Sequence, residues 1–101
     1  MTKTQLKKCE TIAKYYGAGS QLAILEEEAA ELIVAVSKIR RDAPMADQKL
    51  QDGLADMSIM LAQAISYMDD DELVAFNKVI NTKLDNQLDI IKKEQESKSW
   101  S

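Results

Sequence analysis

A chain of 101 residues, 46% of them apolar and 30% charged, is enough for one small globular domain and excludes an intrinsically disordered segment. Its net charge of −4 argues against nucleic acid as a partner, because phosphate backbones are held by basic stripes. One cysteine, Cys9, excludes an internal disulfide framework, and the lack of histidine excludes imidazole catalysis and His-ligated zinc. Carboxylate, lysine and metal chemistry remain. No stretch has the apolar length of a membrane span, and Met1 to Glu10 lacks the apolar run of a signal peptide, so a cytoplasmic protein with no membrane partner is expected.

One proline, three glycines and a surplus of helix-forming residues predict an all-α fold. The first helix is predicted over about Thr4 to Tyr16, with Leu6, Cys9, Ile12, Ala13 and Tyr16 at helical spacing, ended by Gly17-Ala18-Gly19. Ser20 is the expected N-cap of a second helix reaching about Arg41, where Arg40 and Arg41 suit the helix dipole and Pro44 prevents continuation. Its stripe is Leu22, Leu25, Ala29, Leu32, Val36 and Ile39. A third helix is predicted from Ala46 or Asp47 to about Met68, striped by Leu50, Leu54, Met57, Leu61, Ile65 and Met68.

Asp69-Asp70-Asp71-Glu72 supplies the cap and acidic first turn of a fourth helix carrying Leu73, Phe76, Ile80, Leu84, Leu88 and Ile91. That helix is expected to fray after Lys92-Lys93, giving one domain over residues 1–93 and a polar, disordered tail over 94–101. Four successive stripes joined by short loops are the pattern of a bundle's own core. Met45, Met57, Met60 and Met68 read as core or dimer-contact residues. So short a chain buries little surface alone, and self-association is expected.

Two acidic clusters interrupt the stripes: Glu26-Glu27-Glu28 with Glu31, and Asp52 with Asp56. At about 100° per residue, Glu28 falls about 70° to one side of a stripe centred near Leu25, Leu32 and Val36, with Glu31 about 60° further round. Glu26 lies on the opposite flank, and Glu27 lies beyond Glu31. On the third helix Gly53 falls about 60° and Asp56 about 120° from a centre near Leu50, Met57 and Leu61, with Asp52 further out. An antiparallel pairing of the two helices would bring Glu28, Glu31 and Asp56 together, a set of oxygen donors suited to Mg.

These residues resemble the MazG-type all-α nucleoside triphosphate pyrophosphohydrolases, which include dimeric dUTPases and dCTPases. Glu27-Glu28-Ala29-Ala30-Glu31-Leu32 looks like the Glu-x-x-Glu half of the family pattern, and Leu54-Ala55-Asp56-Met57 looks like the end of its Glu-x-x-Asp half. Thr82 to Leu88 is similar to the fourth-helix segment of short, phage-type members, so the likeness covers about Tyr16 to Lys93.

The resemblance implies a four-helix bundle completed by homo-oligomerisation, as a homodimer or homotetramer. It also implies Mg, with Mn as a substitute, held by Glu28, Glu31 and Asp56. The implied reaction converts a nucleoside triphosphate to the monophosphate and pyrophosphate, with Glu27 or Asp52 orienting the water and Lys83 and Lys78 contacting phosphate. One position departs from the pattern: Gly53 stands where a metal-binding glutamate is expected. The alternatives are therefore a catalytically impaired nucleotide-binding member and a helical interaction module. The rings available to stack on a base are Tyr15, Tyr16, Tyr67, Phe76 and Trp100, and none lies in a motif that names a base.

Overall fold

A computed structural model of the chain describes residues 1–99 and contains, among them, four α-helices and no strand. They are α1 (Lys3–Tyr16), α2 (Ala18–Arg40), α3 (Ala46–Ile65) and α4 (Asp70–Ser99). The all-α expectation holds. No helix among the described residues is long and apolar enough to cross a membrane.

Local chemistry sets the helix ends. Thr2 and Gln5 form a reciprocal capping box at the start of α1: Gln5 N–H donates to Thr2 Oγ1 at 3.1 Å and Thr2 N–H to Gln5 Oε1 at 2.8 Å. Gly17 ends α1 at φ 86°, a left-handed value that favours glycine, and its N–H closes on the Ala13 carbonyl at 2.9 Å. The same residue is the N-cap of α2, so the second helix starts at Ala18 and Ser20 is not its cap. The one glycine serves both helix ends, which leaves Ser20 inside the first turn of α2. After α2, Asp42 and Met45 both take positive φ around Pro44, and α3 begins at Ala46 as expected. It stops at Ile65, short of Met68, where the Ser66 hydroxyl donates to the Gln63 carbonyl at 2.6 Å.

The chain divides into two units, Met1–Tyr67 and Met68–Ser101. In the first, α2 and α3 form the principal helix pair, and α1 packs on α3 and less extensively on α2. The packed face of α2 runs through Gln21, Leu25, Glu28, Leu32, Ala35 and Ile39, and that of α3 through Ala46, Leu50, Gly53, Met57, Met60 and Ala64. Both faces are turned about 40° from the centres expected from the stripes, towards the acidic flank. Leu22, Ile33 and Val36 on α2, and Leu54 and Leu61 on α3, are exposed instead. The predicted stripes mixed residues from the buried face with residues from this second apolar flank.

Small side chains allow the α2–α3 approach. A Cβ placed on Gly53 would lie 3.3 Å from Leu32 Cδ1 and 3.8 Å from Ala35 Cβ. The buried apolar residues are Cys9, Ala13, Ala35, Ala46 and Met60, with Gln21 and Gln63 buried beside them. Met60 is the one bulky apolar side chain in this set. Met57 and Met68 are half-buried and Met45 is exposed, so the four methionines grouped by sequence separate in the structure.

The second unit is α4. Asp69 caps it reciprocally with Glu72: Glu72 N–H donates to Asp69 Oδ1 at 2.8 Å and Asp69 N–H to Glu72 Oε1 at 3.3 Å, as the acidic run predicts. The helix does not fray after Lys93 but continues through Glu94 to Ser99. Glu, Gln and Lys dominate that segment, which contains no glycine or proline, and Lys93 pairs with Asp89 at 3.1 Å one turn back. Trp100 and Ser101 lie outside the described residues. Val74, Ile80, Leu84, Leu88 and Ile91 of α4 are exposed.

Candidate metal centre

The antiparallel pairing of α2 with α3 brings Glu28, Glu31 and Asp56 together. One carboxylate oxygen from each lies within 4.8 Å of the others. Glu28 sits near the middle of α2's packed face and is half-buried, whereas Glu31 and Asp56 stand on the exposed edges of their helices, on the same side of the pair.

Glu28 is the strained member. Its Oε2 is shielded from solvent and accepts no hydrogen bond. Desolvation first, then the charges of Glu31 and Asp56, raise its pKa above the ordinary glutamate value of 4.5. A buried oxygen without a donor and two neighbouring carboxylates are what a bound cation would relieve. Oxygen donors about an octahedral Mg at about 2.1 Å stand about 3 to 4 Å apart, which small side-chain movements of these three would reach. The donor set fits a hard divalent cation.

Comparison with known proteins returned no matching family model, no matching curated protein and no matching solved structure.

The flank that carries Glu31 and Asp56 is hollowed into a cleft of about 400 Å³, within the size range of small-molecule sites. Its wall from α2 is Ala30, Glu31, Val34, Ala35 and Lys38, and from α3 it is Lys49, Asp52, Gly53 and Asp56. Asp52 therefore shares the cleft with the candidate ligands. Glu27, the other candidate for orienting water, is exposed on α2 and is not part of this wall. Lys78 and Lys83 are exposed on α4, in the second unit.

Two cleft residues escaped the sequence reading. Lys38 lies seven residues after Glu31, and Lys49 lies seven residues before Asp56. Seven residues turn a helix by about 700°, within about 20° of two full turns, so each lysine shares its partner carboxylate's face two turns away. Because the helices run antiparallel, both lysines arrive at the same end of the cleft. The matched seven-residue spacing was the signal available in the sequence.

Proposed function

We propose that this protein is a divalent-metal-dependent nucleoside triphosphate pyrophosphohydrolase of the MazG-like type. The observation that carries the reading is the convergence of Glu28, Glu31 and Asp56 around a shielded, unpartnered Glu28 oxygen. In this reading Glu28, Glu31 and Asp56 hold Mg or Mn. An ion held there would neutralise the triphosphate and lower the pKa of a water molecule. Asp52, which lines the cleft wall, would orient that water in this reading, and a nucleotide would enter along the same open flank. Water adds at the α-phosphorus, the bond to the bridging oxygen breaks, and the products are the nucleoside monophosphate, pyrophosphate and a proton.

A second reading, binding of nucleotide without turnover, is favoured by Gly53. It occupies the closest approach of α3 to Leu32, where the family pattern has a glutamate. The closest atom to an added Cβ is the end of the Leu32 side chain at 3.3 Å, so Gly53→Glu requires that side chain to shift by a few tenths of an ångström.

Pyrophosphate release from a panel of ribo- and deoxyribonucleoside triphosphates, with Mg and with Mn, separates the readings. The expected result is wild-type turnover that disappears in Glu31→Ala. A silent wild type revived by Gly53→Glu but not by Gly53→Ala supports binding alone. Silence in all four overturns hydrolysis.

We further propose that the active form is a homodimer or homotetramer. Leu22, Ile33 and Val36 of α2, with Leu54 and Leu61 of α3, form an exposed apolar flank on the side of the helix pair away from the cleft, and α4 carries a further unburied stripe. Burial of such surface drives association. Sedimentation is expected to give a dimer or tetramer at micromolar concentration, with a thermal midpoint that rises with protein concentration. A monomer with a concentration-independent midpoint would overturn this.

A further inference from the structure

Lys38 and Lys49 face each other across one end of the α2–α3 cleft, without a carboxylate partner among the described residues. Neither makes an ion pair among the described residues, although Asp52 lies one turn from Lys49 in the same wall. Lys38 is half-buried. Interaction with the Lys49 amine, then the like charge of that amine, then desolvation and the charge of Arg41, lower the pKa of Lys38. Two ammonium groups turned towards each other in a hollow repel, and the ordinary helical outcome is to splay into water. Here the walls behind them are Ala35, Val34 and Gly53, which leave room between the helices. An anion with several oxygens would fill that room and relieve the repulsion.

The other end of the same cleft holds the carboxylates. The two ends are separated by seven residues on each helix, about 10 Å of helix rise, which the reach of two lysine side chains shortens. A ligand that satisfies both ends must carry a metal-binding anionic group at one end and a further anionic group beyond it. A polyphosphate does so. A single phosphate or carboxylate does not.

We propose that Lys38 and Lys49 hold the terminal phosphates of a nucleoside polyphosphate whose reacting phosphorus lies at Glu28, Glu31 and Asp56. This rests on the hydrolytic reading above and gives the substrate a direction along the cleft. The pyrophosphate end points towards the α2 C-terminus and the α3 N-terminus. The departing pyrophosphate gains a negative charge as the bond breaks, and the two ammonium groups neutralise it. The substrate class narrows to nucleotides with at least two phosphates beyond the α-phosphate, and inorganic pyrophosphate becomes a product inhibitor.

The test uses the full-length protein and two probes, Mn alone and inorganic pyrophosphate in the presence of Mn, each titrated calorimetrically into wild type, Lys38→Met/Lys49→Met, Lys38→Arg/Lys49→Arg and Glu31→Ala. Methionine keeps the apolar stem, and circular dichroism checks that each variant is folded. The expected result is that the double methionine variant binds Mn as wild type does but loses pyrophosphate affinity by about tenfold or more, while the arginine pair retains it. Wild-type pyrophosphate affinity in the methionine pair overturns the proposal. So does a wild type that binds Mn but no pyrophosphate. In both cases the hydrolytic reading survives if the triphosphate panel shows turnover. Mn binding that is unaffected by Glu31→Ala removes the metal centre and overturns both.

Discussion

A Glu28→Gln protein is expected to be more heat-stable than wild type in the absence of metal near neutral pH, and to have lost its response to Mg. The two effects have one cause. Glu28 is half-buried with an oxygen that no donor meets, and the carboxylates of Glu31 and Asp56 stand beside it. Its pKa is raised in the folded protein above the ordinary 4.5. As pH rises from about 4.5 towards the folded value, the unfolded chain has released this proton while the folded chain still holds it. Stability from this group falls through that interval and stays low above it. The loss is therefore absent in acid and complete once the pH lies above the folded value.

Glutamine removes the charge and keeps the shape, so the variant should lack that part of the pH dependence. A cation between the carboxylates reverses the same penalty in wild type by binding only the folded state. If the centre is catalytic, turnover should fall in Glu28→Gln by on the order of 100- to 1,000-fold, the scale of removing one preorganised charged group. Thermal midpoints of both proteins across pH 4 to 8, with and without Mg, are the measurement. A glutamine variant no more stable than wild type, and still stabilised by Mg, would sink the assignment.

The second large effect is expected at Met60. It is the one bulky apolar side chain buried among the described residues, set in a first unit whose other buried apolar groups are alanines and a cysteine. Truncating a buried methionine costs about 2–5 kcal/mol, the lost transfer energy plus the cavity left behind. Small domains start from stabilities near the bottom of the range of about 5–15 kcal/mol, so Met60→Ala should be largely unfolded or have a much reduced denaturation midpoint. Met45→Ala is the contrast. Met45 is 63% exposed in the turn before α3, and its loss should change stability by less than about 0.5 kcal/mol. Urea unfolding of the two variants decides between these values. Equal losses at both positions would place Met45 in a subunit interface.

The sequence was most legible where a local rule acts alone. The acidic run at Asp69 to Glu72 predicted the start of α4, and Pro44 predicted the break between α2 and α3, because caps and proline act within one turn. Glu28, Glu31 and Asp56 could be grouped because helical phase carries over eight residues or fewer on each helix once the pairing is antiparallel. Their degree of burial could not. Leu22, Ile33 and Val36 make α2 apolar on more than one side, so the stripe alone did not distinguish the face that α3 covers from the flank left exposed. The same ambiguity on α3 placed Gly53 off the contact face, where it lies near the centre. Lys38 and Lys49 were passed over because each lysine looks like an ordinary solvated residue on its own helix; their meaning is in the pairing of two helices. Ser20 failed as a cap because Gly17 had already begun the helix.

One hydrogen bond sets where the first unit can be cut. The Tyr67 hydroxyl donates to the Ala13 carbonyl at 2.6 Å, a bond spanning 54 residues, and the same carbonyl accepts the N–H of Gly17. The last residue of the unit is thereby fastened to the end of its first helix, and the chain between them forms a closed circuit. A fragment that stops at Ser66 lacks the fastening, while one that stops at Met68 keeps it. The natural severing point between the two units therefore falls on the C-terminal side of a single phenol.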